Sequence, residues 1–151
     1  MNGLNHKLLQ EVVMHVLEDC AFMCTQLGPE SQVFPEQITR ATLAFKGPRS
    51  GKLELFAARE LAMSIAADML GIDAADPDAT SFADGALGEI SNIITGALVA
   101  RLFGTECLVE LGIPVVDHVV PGPKEGESCA LKLTDMEGRA IDVRFSLESA
   151  S

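Results

Sequence analysis

Glu89 and Asn92 are the polar side chains in this sequence whose types and spacing suggest chemistry. They lie three residues apart in the stretch SFADGALGEISNIITGALVARLFG, residues 81–104. At about 100° per residue, such positions are neighbours on one side of a helix. A carboxylate pairs with a cation, and an Asn side chain can both donate to and accept from one water molecule. Asn is neither an acid nor a base near neutral pH, so the pair predicts catalysis by orientation of a water molecule.

Three glycines, Gly85, Gly88 and Gly96, share the side of the helix that carries Glu89 and Asn92. Each costs about 1 kcal/mol relative to alanine inside a helix. Because a side without bulk allows close approach, we expect these glycines to line a partner-binding surface. The alternative is a solvated side with incidental glycines. If a group does approach, it belongs to the same chain, to a second subunit or to another protein.

The surroundings of the pair limit its chemistry. Ser91 lies about 100° around the helix from Asn92, and no histidine is near in the sequence. The pair therefore lacks a nucleophile of its own and would act on a reactive group that another molecule supplies. The opposite side is apolar and predicts a core-facing stripe: Ala86, Leu87, Ile90, Ile93, Ile94 and Ala97.

Hydrophobic periodicity predicts the elements that precede this helix. Residues 4–26 have helical spacing and end at Gly28 and Pro29. Residues 37–46 and 52–58 alternate apolar and polar side chains around the turn GPRSG, which predicts a hairpin. Residues 59–70 return to helical spacing, with Gly71 as the stop signal.

The helix of interest is predicted over roughly residues 82–103, with Ser81 as its N-cap and Asp84 in a capping-box position. After Gly104, the segment ECLVELGIPVVDHVVPG predicts a strand, and SCALKLTD and AIDVRFSLE predict a hairpin across MEGR. The fold class is therefore α/β (α+β), one domain over residues 1–151 with a largely antiparallel sheet and helices packed on one face. The other face, or an edge, is left for pairing between subunits.

Length, composition and charge restrict the function classes. The chain has 151 residues, of which 48% are hydrophobic, so it can form one domain with a core. No apolar run approaches the ~20 residues of a membrane span, and the N-terminus lacks the pattern of a signal peptide. The net charge of −11 argues against nucleic acid and against an anionic membrane as partners.

The four cysteines, Cys20, Cys24, Cys107 and Cys129, are predicted to be reduced. Cys20 and Cys24 lie four apart on the predicted first helix, where rigid backbone geometry disfavours a disulfide. Zinc would need two further ligands nearby, and the sequence offers none at a suitable distance. We therefore expect buried thiols, no metal and no cofactor, in a reducing cytoplasm.

The segment GEISNIITG, residues 88–96, resembles the Glu-x-x-Asn helix of the CheC/CheX/FliY phosphatases of bacterial chemotaxis. The preceding RELAMSIAADMLG and the following LVELGIPVVDHVVPG also resemble segments of that family. The resemblance covers most of residues 38–120. The length, the single copy of the motif and the element order are most similar to CheX.

The resemblance implies a function and a partner. In that family the helix docks onto a phosphorylated response regulator of the CheY type, which carries the aspartyl phosphate and Mg²⁺. By this resemblance, Asn92 orients the attacking water and Glu89 pairs with the lysine of the regulator. It also implies a homodimer whose sheets join. A non-catalytic protein that binds or sequesters receiver domains on the same fold is the competing hypothesis, and a third places the pair inside the dimer interface.

Two positions depart from the family pattern. Gly85 stands where the pattern places Asp or Ser, four residues before the Glu. Asp84 is one residue away and points elsewhere around the helix, so it is better explained as a capping residue. The interval from Asn92 to Pro114 is one residue shorter than in the family. Neither departure changes Glu89 or Asn92.

Overall fold

A seven-stranded antiparallel sheet and three helices make up the fold in the computed structural model, which describes residues 5–28, 38–118 and 127–148. Strand and helix bounds in chain order are α1 (His6–Ala21), β1 (Thr25–Leu27), β2 (Ile38–Lys46), β3 (Gly51–Ala58), α2 (Arg59–Leu70), α3 (Pro77–Phe103), β4 (Glu110–Leu111), β5 (Val115–Asp117), β6 (Glu127–Asp135) and β7 (Ala140–Leu147). The predicted α+β class with an antiparallel sheet is confirmed.

The sheet has the strand order β1-β6-β7-β3-β2-β4, and β5 also pairs with β2. The hairpin β2–β3 holds Leu43 opposite Leu53, and the hairpin β6–β7 holds Leu131 opposite Val143. Strand β3 joins the two hairpins through its pairing with β7. Both predicted hairpins are confirmed, and β4 and β5 extend the sheet beyond β2 on the side of α3.

Strand alternation buries one face of the sheet beneath the helices. The inward residues Phe45 and Phe145 stack with ring centroids 5.4 Å apart, and Leu55 and Val143 lie opposite each other in the same core. Helix α3 packs against α2, β2, β3 and α1. Its buried side includes most of the predicted stripe: Ala86, Leu87, Ile90 and Ile94. Ile93 is an exception, because its side chain is partly exposed.

The first helix ends earlier than predicted. Asn5 caps α1 by accepting from the backbone N–H of Leu8 at 2.9 Å, and Phe22 ends it in the left-handed conformation at φ 52°. Residues 25–27 then pair with β6 as a short edge strand. The prediction of helix up to residue 26 was wrong because sheet pairing outweighs the helical spacing. Consequently Cys24 lies exposed in a connection rather than buried on a helix beside Cys20.

Helix α3 (Pro77–Phe103) is longer than the predicted helix over residues 82–103 and has a long apolar stretch. Among the described residues it is the one helix that contains an 18-residue stretch apolar enough to cross a membrane, by length and composition alone. This corrects the statement that no stretch approaches a membrane span. Half of that stretch is buried inside the protein, and a core helix has the same composition.

Candidate functional site

Helix α3 positions the candidate pair, and it begins five residues earlier than predicted. Asp76 is the N-cap, accepting from the N–H of Asp78 at 2.9 Å, and Pro77 occupies the first turn. Ser81 lies inside the helix, where its hydroxyl donates to the carbonyl of Pro77. The predicted cap at Ser81 is therefore wrong, since the Asp-Pro pair upstream supplies a stronger start signal.

Glu89 and Asn92 are both exposed on this helix. Positions i and i+3 place their Cβ atoms about 5–6 Å apart. Neither side chain makes a hydrogen bond or an ion pair with another described residue. The carboxylate and the amide are therefore both available to a molecule that docks on this surface. The described residues of the same subunit therefore leave both side chains uncovered.

Ser91, which lies between them, is not available. It is fully buried and donates its hydroxyl to the carbonyl of Gly88 at 2.7 Å. Thr95 is buried in the same way and donates to the carbonyl of Ser91 at 2.7 Å. Both hydroxyls are satisfied within the helix, so the exposed polar chemistry of this turn rests on Glu89 and Asn92.

A segment of the same chain runs along the glycine line of α3. This β4–β5 segment, residues 110–117, consists of β4, the turn 112–114 and β5. A Cβ added at Gly88 would lie 3.2 Å from Cβ of Pro114, and one added at Gly96 would lie 3.9 Å from Cδ1 of Leu111. Gly88 precedes Asn92 by four residues, and Gly96 follows it by four. The β4–β5 segment therefore contacts α3 one turn before and one turn after Asn92.

The β4–β5 segment is tied to the sheet at both ends. The N–H of Gly112 donates to the carbonyl of Ala44 at 2.8 Å. At the other end, Arg40 holds Asp117 by two hydrogen bonds, Nε to Oδ1 at 2.9 Å and Nη2 to Oδ2 at 2.6 Å. This bidentate contact with Arg40 lowers the pKa of the Asp117 carboxyl. These contacts hold the β4–β5 segment in place along the part of α3 that carries Asn92.

The contacts of the glycines correct one part of the partner-binding prediction. Gly88 is buried beneath Pro114 and Val116 of its own chain, so an outside partner does not reach it. The close approach that its missing side chain permits is intramolecular. Gly96 is half-buried beside Leu111, and Gly85 is exposed. For these two the partner-binding role stays a prediction.

Asp84 has a tertiary role rather than the predicted capping role. Its Oδ1 accepts from Arg59 at 2.7 Å, and Nε2 of His118 lies 3.7 Å from its other oxygen. Nδ1 of His118 lies 3.4 Å from the hydroxyl of Thr39. Asp84 therefore links α3 to the start of α2 and to the residue after β5.

The described part of the chain shows no cluster of three or more His, Cys, Asp or Glu side chains with the geometry of a metal site. None of its four cysteines forms a disulfide with another described residue. Cys20 and Cys129 are half-buried, and Cys107 is exposed like Cys24. The expectation of buried thiols is therefore wrong for Cys24 and Cys107.

Comparison with known families places this site in context. The family described as "Chemotaxis phosphatase CheX" matches residues 40–125, more than half of the chain, and this match includes α3 and the β4–β5 segment. The chain belongs to the CheX family. No curated protein matches it.

Solved structures show the same fold as this CheX-family chain. A chain of the CheX–CheY–BeF3–Mg²⁺ complex from Borrelia burgdorferi superposes with a TM-score of 0.74 at 16% identity, covering 95% of this chain and 97% of that one. A putative chemotaxis protein from Desulfovibrio vulgaris Hildenborough gives 0.71 at 22% identity, covering 98% and 99%. CheX from Desulfovibrio desulfuricans gives 0.70 at 20% identity, covering 94% and 97%.

For this CheX-family site, the sequence identified Glu89 and Asn92 but not the β4–β5 segment that packs along the same helix. The proline of the family pattern drew attention to Pro114, yet nothing in the sequence shows that Pro114 packs on Gly88. The available signal was the coincidence of a glycine in a helix with a downstream Gly-Ile-Pro turn. Such a pairing becomes visible only when the sheet brings the two segments together.

Proposed function

We propose that this protein is a phosphatase that hydrolyses the aspartyl phosphate of a CheY-like response regulator. The observation that carries the proposal is the exposure of Glu89 and Asn92 on α3, without a polar partner among the described residues, in a chain of the chemotaxis phosphatase family. The complex from Borrelia burgdorferi, whose fold this chain shares, holds CheY with BeF3 and Mg²⁺.

Asn92 is proposed to orient the attacking water. Its amide group can accept one hydrogen of the water and donate to the oxygen. The water oxygen forms a bond to phosphorus while the bond from phosphorus to the aspartyl oxygen breaks. The aspartate leaves as a carboxylate, and the two protons of the water stay with the inorganic phosphate. Positioning supplies most of the catalysis in such transfers.

Glu89 is proposed to bind the regulator rather than to transfer a proton. Its carboxylate would pair with the lysine beside the aspartyl phosphate, and this pairing would fix Asn92 one helical turn away in line with phosphorus. Mg²⁺ would belong to the regulator, so the protein would need no metal or cofactor of its own. Gly85 and Gly96 would allow the regulator to approach α3 closely.

A homodimer whose sheets join is part of the proposal, as is a cytoplasmic location beside the regulator. The resemblance to CheX supports both. Sedimentation at micromolar concentration tests the dimer, and a mass of one chain throughout would contradict it.

The second candidate function is a non-catalytic protein that binds or sequesters a receiver domain through the same surface. Gly85 favours it, because the family pattern places Asp or Ser there and this chain lacks that side chain. Both candidate functions require binding of the receiver domain, but only the phosphatase accelerates its loss of phosphate.

The test measures both properties on the same samples. Each receiver domain encoded in the same genome is phosphorylated, and loss of phosphate is followed with and without the protein, alongside binding of the beryllofluoride-activated form. Faster loss of phosphate from one receiver is expected. Binding without faster loss supports the scaffold, and neither binding nor acceleration for any receiver contradicts both candidates.

A further inference from the structure

Ile113 occupies a particular place relative to Asn92. The β4–β5 segment contacts α3 at Gly96 through Leu111 and at Gly88 through Pro114. Asn92 lies midway between these glycines, about 6 Å from each along the helix axis. The residues between the two contacts are Gly112 and Ile113, so their backbone joins a contact one helical turn before Asn92 to a contact one turn after it.

The side chain of Ile113 is 87% exposed. Its neighbours hold its backbone in place, because Pro114 packs on Gly88 and the N–H of Gly112 donates to the carbonyl of Ala44. Val115, two residues on, is also exposed. Exposed apolar side chains scattered over a surface need no explanation, but Ile113 and Val115 flank Pro114, whose contact with Gly88 lies one helical turn from Asn92.

The size of a protein interface brings Ile113 into contact with whatever reaches Asn92. A specific interface covers about 800 Å² on each partner, which corresponds to a disc of about 16 Å radius. Ile113 lies well inside such a disc centred on Asn92. An apolar side chain near the centre of an interface contributes most when it is fully covered by the partner.

We propose that Ile113 is a specificity-determining contact for the phosphorylated regulator, which selects receivers that present an apolar side chain beside the phosphorylated aspartate. The inference rests on the proposed phosphatase function and adds the chemistry by which partners are distinguished. Asn92 and Glu89 address groups that every receiver of this type shares, so they cannot separate one receiver from another. Ile113 would contact a side chain of the receiver that can differ from one receiver to another.

The test compares Ile113→Ala with the unchanged protein in steady-state hydrolysis of the phosphorylated regulator. We expect the KM to rise about tenfold and the kcat to stay within about twofold, since binding is lost while the catalytic pair is untouched. Ile113→Val removes one methylene and should raise the KM by no more than about fourfold. Thermal melting should be unchanged in both, because the side chain is exposed.

Met136 provides the matched control. It is 77% exposed in the β6–β7 turn, and the four strand spacings from β6 to β5 place it about 19 Å across the sheet. Met136→Ala should leave both constants unchanged.

An unchanged KM in Ile113→Ala, or an equal rise in Met136→Ala, would overturn the inference and leave the proposed function standing. A fall in kcat at constant KM would also overturn it. If the unchanged protein accelerates loss of phosphate from no receiver, the proposed function and this inference both fail.

Discussion

Two polar clusters in this protein differ in whether their hydrogen-bonding groups are already used. In the β6–β7 turn, Asp135 is 5% exposed and accepts from the backbone N–H of Arg139 at 2.7 Å and from its Nε at 2.8 Å. The same arginine donates to the hydroxyl of Ser64 at 2.9 Å. Glu89 and Asn92 on α3 have no such partner in the described parts of the chain.

A polar group that stabilises the fold has its hydrogen bonds satisfied within the protein, whereas one that binds another molecule has them unused. Removal of a buried carboxylate leaves its buried hydrogen-bond donors uncompensated, which destabilises the native state. An exposed carboxylate and amide without partners add little to stability. Changes in the first cluster should therefore alter folding alone, and changes in the second should alter activity alone.

The largest expected effect on stability is that of Asp135→Ala. It removes the acceptor of Arg139 Nε and of the backbone N–H groups of Glu137 and Arg139, so we expect the free energy of unfolding to fall by about 3 kcal/mol. Urea unfolding followed by circular dichroism measures this. Loss of phosphate per folded molecule should stay the same, and a fall in that specific activity would break the division between the two clusters.

The glycines of α3 allow a second test. Gly88→Ala should lower the free energy of unfolding by about 1 kcal/mol, because the new Cβ would lie 3.2 Å from Cβ of Pro114 and overpack the contact. Gly96→Ala is the matched control. Its Cβ meets only Leu111 at an ordinary 3.9 Å, and the change should stabilise the helix by about 1 kcal/mol. Equal effects at the two positions would contradict the role assigned to Pro114.

Glu89→Gln tests whether an exposed carboxylate without a partner among the described residues affects activity and not stability. The substitution keeps the shape and removes the charge that is proposed to pair with the lysine of the regulator. The KM should rise about tenfold, equivalent to about 1.4 kcal/mol, with unfolding unchanged. Glu148→Gln makes the same change on an exposed residue just after β7 and should have no effect. A KM that is insensitive to Glu89→Gln would remove this residue from the interface.

The smallest expected effect concerns Asp142, on the sheet face opposite the helices. Burial raises the pKa of its carboxyl above the usual 3.8, while Lys132 and Arg144 oppose the shift. Because the folded-state pKa of Asp142 is raised, its carboxyl contributes to the free energy of unfolding at pH values below the unfolded-state pKa. This contribution is lost as the pH rises through the folded-state pKa. Asp142→Asn should therefore be more stable than the unchanged protein at pH 7, by a margin that shrinks towards about pH 4. A constant margin in urea unfolding across that range would contradict this.

The sequence predicted the parts of the fold that depend on local pattern. The β2–β3 hairpin, the start of α2 at Arg59 and its end at Gly71 follow from periodicity and a left-handed glycine. The end of α1 and the split of the predicted strand into β4 and β5 do not. They depend on pairing with β6 and β2, which are distant in sequence.

The candidate site divides in the same way. Glu89 and Asn92 were found from their spacing on one helix, and the structure places both in solvent. The reason for Gly88 was misjudged, since its contact is Pro114, which lies on another element. Helical spacing identifies which side chains share a side, and only the packed structure shows which side the chain itself covers.

Asn92 is proposed to act on a group in another molecule, and Asn92→Ala removes the side chain that would do so. Loss of phosphate from the cognate regulator is measured at saturating regulator, with thermal melting of the same preparation. We expect kcat to fall by at least about 100-fold at an unchanged melting temperature. A variant that is equally stable and retains the rate of the unchanged protein would contradict the account.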